Sequence, residues 1–124
     1  MDLNELSSKI IQAAIEVHKE LGPGLFESVY RKCLAFALRE MGLKVEEEVP
    51  VPIDFRGHRI QDEGFRIDLL VEDAIICELK AVETMNKLFK RQLLTHLRLS
   101  KKTLGLLINF NVEMLKDGIT RMVN

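Results

Sequence analysis

The chain is poor in the features that would settle its class at once. Two cysteines in 124 residues, Cys33 and Cys77, are too few and too far apart for a disulfide framework. They sit among apolar neighbours and read as core thiols of a reducing compartment. No Cys/His spacing resembles a zinc site. No apolar run approaches the ~20 residues of a membrane helix. The acidic opening Met1-Asp2-Leu3-Asn4-Glu5 lacks a signal-peptide pattern, so a cytoplasmic protein without membrane contact is expected. Repeats, linkers and low-complexity segments are missing, and 124 residues suit one domain spanning 1–124. A net charge of −1 does not mark the chain as a binder of polyanions.

Hydrophobic residues make up 47% and charged residues 30%, as in ordinary globular domains. Leu3, Leu6, Ile10, Ala13, Ala14, Val17 and Leu21 recur at helical spacing and stop at Gly22-Pro23-Gly24. A second helix is predicted from Glu27 to Met41, with Gly42 after it. The period then shortens. Lys44 to Phe55 reads as one strand, with Pro50 and Pro52 marking an edge. Arg56-Gly57 reads as a turn. Phe65–Val71 and Ala74–Lys80 read as two strands about a tight turn at Glu72-Asp73. Helical period returns from Thr84 to Leu99, with Met85, Leu88, Phe89, Leu93 and Leu97 on one face. Leu104–Phe110 is a buried strand by its apolar run, and Ile119–Val123 a last short one. The order predicts an α/β (α+β) domain with a mixed sheet flanked by helices.

Charge gathers locally. From Lys80 to Lys102 there are seven basic residues, Lys80, Lys87, Lys90, Arg91, Arg98, Lys101 and Lys102, and one acid, Glu83. That suits a phosphate backbone, although a solvated helix face would look the same. Glu46-Glu47-Glu48 reads as exposed edge residues that discourage edge pairing.

Strand alternation puts Glu78 and Lys80 on one face of their strand, with Ile75, Cys77 and Leu79 on the other. The preceding strand groups Arg66, Asp68 and Leu70. A three-residue turn sets Asp68 opposite Glu78; a two-residue turn sends it to the other face. Two converging carboxylates repel and resist burial, which a hard divalent cation such as Mg²⁺ or Mn²⁺ would relieve. Such an ion polarises phosphoryl oxygens, and Lys80 would orient water or offset developing charge. The plainer alternative is an ion pair of Lys80 with Asp68 or Glu78. Glu27 shares a helix face with Tyr30 and Leu34, although a first-turn acid is also a simple stabiliser of its helix. Gln92 lies between Leu88 and His96 on an apolar face, where its amide needs partners. His96 reads as a packed histidine, and His18 and His58 as surface positions.

Gly24-Leu25-Phe26-Glu27-Ser28-Val29-Tyr30 resembles the signature of the GxxExxY proteins. Asp68-Leu69-Leu70-Val71, Cys77-Glu78-Leu79-Lys80-Ala81, Gln92-Leu93-Leu94, Gly105 to Phe110 and Leu115 to Arg121 resemble that family's later blocks, in order over nearly the whole chain. The family is grouped with the PD-(D/E)XK nucleases. The resemblance implies a restriction-endonuclease-like core of a helix, an antiparallel meander, a helix and a further strand. It also implies a metal-dependent nuclease acting on DNA or RNA. Asp68 takes the place of the motif aspartate, Glu78 and Lys80 that of the (D/E)XK pair, Glu27 that of the first-helix acid, and Gln92 that of the polar residue beyond. Asp68, Glu78, Glu27 and the Leu79 carbonyl would hold Mg²⁺ or Mn²⁺. Two departures are His96, where tyrosine is usual, and Ile67, where the motif proline would stand. A non-catalytic nucleic-acid- or protein-binding module on the same fold is the alternative. A homodimer through Leu104–Phe110 or the first helix is a further one.

Overall fold

A computed structural model describes residues 1–62 and 65–124. Two helices lead: α1 (Leu3–Leu21) and α2 (Glu27–Glu40). The strands are β1 (Val45–Pro50), β2 (Ile53–Phe55), β3 (His58–Ile60), β4 (Arg66–Val71), β5 (Ile75–Lys80), β6 (Leu104–Asn109) and β7 (Ile119–Val123). Between β5 and β6 runs α3 (Lys87–Ser100), and a 3-10 turn at Leu115–Gly118 precedes β7. Five strands form one sheet in the order β1-β4-β5-β6-β7. Among the described residues only β5 and β6 pair in parallel, across the α3 crossover. The expected mixed sheet between helices is therefore what the chain forms.

Apolar periodicity explains the layers. Leu6, Ile10, Ala13, Ala14 and Val17 of α1, with Tyr30, Leu34 and Leu38 of α2, pack on Ile75, Cys77, Leu79, Leu104, Leu106 and Ile108. A smaller core under α3 holds Leu93 and Leu97 against Ile67, Leu70, Ile76 and Leu107. Strand β5 is buried on both faces except at Lys80, and β6 is buried throughout. This is why both read as unbroken apolar runs. At Gly105, a Cβ would lie 2.8 Å from a Leu93 methyl, so α3 rests directly on β6.

Four expectations are corrected. The predicted strand Lys44–Phe55 is two elements, since β1 ends at Pro50 and β2 pairs with β3 as a separate hairpin. Pro52 has no N–H to continue a ladder, so the chain leaves the sheet there. The hairpin turns at Arg56-Gly57 as expected, both with left-handed φ (49° and 80°). Helix α3 begins at Lys87 rather than Thr84, because the Asn86 side chain accepts the Leu88 N–H (2.8 Å) and caps it. His18 is not a surface residue: it is 6% exposed and its Nε2 meets the Val112 carbonyl at 2.7 Å. Strand β6 cannot serve as an interface between copies, since β5 and β7 flank it and its side chains are buried. The thiols divide, Cys77 buried and Cys33 half-buried, and both are unpaired. The three acids on β1 do lie at a sheet edge, as expected, but they are engaged: Glu47 meets Arg31 and Arg39, Glu48 meets Arg31 and Arg66, and Glu46 meets Lys44.

The turn before α2 is fixed from inside. Tyr30 is fully buried and stacks on Phe110 at 4.4 Å between centroids. Its hydroxyl donates to the Gly22 carbonyl (2.5 Å) and accepts the Leu25 N–H (3.2 Å). Between these anchors Gly24 adopts φ 100°, open to glycine and strained for other residues. Glu27, in the first turn of α2, is aimed by this arrangement. Tyr30→Phe keeps the stacked ring but leaves both backbone groups unsatisfied. We expect a loss of about 1–3 kcal/mol in urea unfolding; an unchanged midpoint would show that the hydroxyl is not the anchor.

Candidate active site

The register of β4 on β5 builds the site. Val71 pairs with Ile75, Leu70 with Ile76 and Leu69 with Cys77, leaving Glu72, Asp73 and Ala74 as a three-residue turn. Continued one step, this register sets Asp68 across from Glu78. The ladder stops there. Asp68 Oδ2 accepts the Leu79 N–H at 2.7 Å, so a side chain replaces the neighbouring strand as acceptor. On the other side of β4, Glu48 has φ 51°. Core packing changes face at the same level: Leu69 belongs to the α1/α2 core, whereas Ile67 and Val49 pack under α3. The edge half of the sheet thus twists away at Asp68 and opens a cleft.

That cleft holds about 670 Å³. Glu27, Asp68, Glu78, Lys80 and Gln92, chosen from sequence, all line it, with Arg66, Arg91, Thr95 and His96 among its other walls. Leu79 lies between the two motif residues, its side chain buried in the opposite core. Neither plain ion pair of Lys80 with Asp68 or Glu78 is formed among the described residues. Instead Lys80 Nζ lies 4.4 Å from the centroid of the Phe89 ring. Just beyond Lys80, Asn109 holds the chain from below: its amide nitrogen donates to the Val82 carbonyl (2.9 Å) and its oxygen accepts the Val82 N–H (3.1 Å).

His96 is the residue the sequence reading set aside. Its Nδ1 meets Glu78 Oε1 at 2.6 Å in a buried bond, and the ring stands edge-on to Phe65 (4.7 Å). The available signal was its position one helical turn beyond Gln92. Gln92 departs from expectation in the other direction. It is exposed in the cleft and makes no hydrogen bond to a described residue, so its amide faces solvent rather than a core partner. Leu88 is likewise 51% exposed on the cleft wall, not packed.

Burial sets the electrostatics. Desolvation pushes the Glu78 carboxyl up to about 7, against the lowering effect of its His96 bond, and the nearby Asp68 raises it further. Desolvation also raises Asp68, opposed by the Leu79 N–H and the charge of Lys80. Glu27 is raised by burial and by Asp68. Among the described residues no three His, Cys, Asp or Glu side chains converge tightly enough to hold a metal by themselves. Two carboxylates with carbonyl and water oxygens remain a suitable hard donor set.

These shifts have a sign. Below about pH 4.5 Glu78 is neutral in both folded and unfolded chains and costs nothing. As pH rises from about 4.5 to 7 the unfolded chain releases this proton while the folded chain keeps it, so stability without metal falls over that window and levels off above it. Glu78→Gln, melted in EDTA, should match the parent near pH 4.5 and exceed it by about 2–3 kcal/mol at pH 8. Parallel pH profiles for the two proteins would contradict burial as the cause.

A family model of the PD-(D/E)XK nuclease superfamily matches residues 4–122. The chain belongs to that superfamily. Neither a curated protein nor a solved structure matches it significantly.

Proposed function

We propose, with superfamily membership as the premise, that the chain is a metal-dependent nuclease hydrolysing phosphodiester bonds of DNA or RNA. The observation that carries this reading is the convergence of half-buried Asp68 from β4 and buried Glu78 from β5 on one cleft, beside a lysine that forms an ion pair with neither among the described residues. A purely structural ion pair would have used Lys80.

Asp68, Glu78 and Glu27 are the side chains that would hold Mg²⁺ or Mn²⁺. The Leu79 carbonyl joins them by the logic of strand geometry. In a strand the N–H and C=O of one residue point to the same edge, and the Leu79 N–H already points to Asp68. A divalent cation bound there supplies charge neutralisation and polarises the scissile phosphoryl group. Lys80 Nζ orients the attacking water and offsets charge developing on the phosphoryl oxygens. The Gln92 amide, exposed on the facing helix, helps place water or phosphate. His96 engages one oxygen of Glu78 and fixes that carboxylate's orientation. Gly24, Glu27 and Tyr30 fit the GxxExxY subgroup in physical terms: a left-handed hinge, an acid at the cleft and a buried anchor. No described helix is long and apolar enough to cross a membrane. Two unpaired thiols suit the reducing cytoplasm.

The test is cleavage of single- and double-stranded DNA and RNA with Mg²⁺, Mn²⁺ or EDTA. Asp68→Ala and Lys80→Ala, purified in parallel, should lose at least ~100-fold in rate with the fold intact by circular dichroism. A Lys80→Ala protein cutting at the parent rate would remove the mechanism. Metal-independent binding without any cutting would support a binding module instead.

A further inference from the structure

Charge on this protein is segregated. Residues 84–102 contain six Lys or Arg and no Asp or Glu, while the rest of the chain carries twelve Lys or Arg against nineteen Asp or Glu. Cations elsewhere are often used internally: Arg31 and Arg39 pair with Glu47, Arg59 with Asp54, and Arg66 with Glu48. On α3, by contrast, Lys87, Lys90 and Arg91 are exposed and engage no other described residue, and Arg98 meets only the neutral Thr95 hydroxyl (3.3 Å) among them. At 3.6 residues per turn, Lys87, Arg91 and Arg98 fall within about 40° of one line along the helix, with Lys90 beside it. The adjoining line carries Leu88, Gln92 and Thr95, which form the cleft wall, and Arg91 belongs to that wall as well. The cationic stripe therefore leads out of the cleft along the outer surface of α3. From Lys87 to Lys101 it runs on the order of 20 Å, or about six base pairs of rise.

We propose that α3 is a track for the sugar–phosphate backbone flanking the scissile phosphate. This rests on the nuclease reading and narrows its substrate to a polynucleotide long enough to leave the cleft and lie along α3. The contacts are to phosphates and carry no sequence preference. Acidic surfaces elsewhere repel the same polymer, so it arrives in one orientation.

The proposal is tested by anisotropy titration of the whole chain with a fluorescein-labelled 20-nucleotide single strand and a 20-base-pair duplex. Binding is measured in EDTA from 50 to 300 mM KCl. One variant combines Lys87→Gln, Lys90→Gln and Arg98→Gln. A second, Lys19→Gln with Lys32→Gln and Lys116→Gln, removes the same charge from exposed sites away from α3. The α3 variant should bind at least tenfold more weakly at 100 mM salt. Its slope of log K against log salt should be shallower by about 2–3 than that of the parent. The second variant should change the slope by less than about 1. Equal effects of the two variants, or no change in slope, would overturn the track. So would a parent that binds neither probe in EDTA. In each of these cases metal-dependent cleavage by the parent would leave the nuclease reading standing.

Discussion

Everything at the cleft depends on one register. A slip of one residue between β4 and β5 would turn Asp68 to the opposite face, away from Glu78 and Lys80. The three-residue turn that prevents this places Glu72 and Asp73 at φ 53° and 51°, a conformation costing roughly 1–2 kcal/mol for a residue with a Cβ. The cost is offset locally. The Glu72 N–H donates to the Lys44 carbonyl (2.8 Å), and the Glu72 carboxylate accepts the Lys44 N–H (2.7 Å). Asp73 pairs with Lys102 at 3.2 Å. The turn is thus tied to the start of β1 and to the start of β6, and the strands on both sides of β4 and β5 help hold the register.

With that register fixed, the site opposes the fold. Three acids face one cleft, each made harder to ionise by burial, and the Asp68 charge adds to the difficulty for the other two. Such an arrangement persists because the strand beneath it cannot move. Ile75, Cys77 and Leu79 are locked into the core under α1 and α2, and Ile76 into the core under α3. Next to them, the Asn109 side chain and the Lys80 carbonyl bond to Phe110 N–H fix the strand's exit. A rigid doubly covered strand carrying strained charge at its end is what electrostatic preorganisation requires. The Asp68 bond to Leu79 shows the same economy: the break in the ladder that opens the cleft is closed by a carboxylate that lines it.

What could be read from sequence divides along physical lines. Asp68, Glu78 and Lys80 were legible because strand alternation is strict, and the hairpin length was the one remaining variable. Glu27 and Tyr30 were legible as a helical pair, but the role of the Tyr30 hydroxyl was not, since its partners lie in the preceding turn. The α3 face was read less well. Periodicity identifies the side of a helix that turns inward, but not where the surface beneath it falls away into a cleft. Hence Leu88 and Gln92, on the inward line, are exposed, while His96 one turn later is buried against Glu78. His18 was misplaced for the converse reason: the Val112 carbonyl that engages its ring arrives from almost a hundred residues later. The β1 boundary was missed because the alternating pattern carries on past Pro52, where pairing cannot.

The net charge of −1 is the least informative number in the sequence, and the fold explains why. Charges interact over a Debye length of about 8–10 Å at physiological salt. Helices α1 and α2 pack on one side of the sheet and α3 on the other, so the acids of α1 lie across the sheet from the α3 cations, whereas Glu27 of α2 shares the cleft with Arg91. Away from the cleft the two populations are therefore screened from one another and do not cancel. What a ligand meets is local: cations on α3 without partners, and acids elsewhere. Arg31 and Arg39 are held on the edge acids of β1. The α3 cations could have been neutralised in the same way by acids at neighbouring helical positions, at a gain of a few tenths of a kcal/mol each. Their absence from every turn of α3 leaves a field that folding does not need, directed along a surface that leads into the cleft.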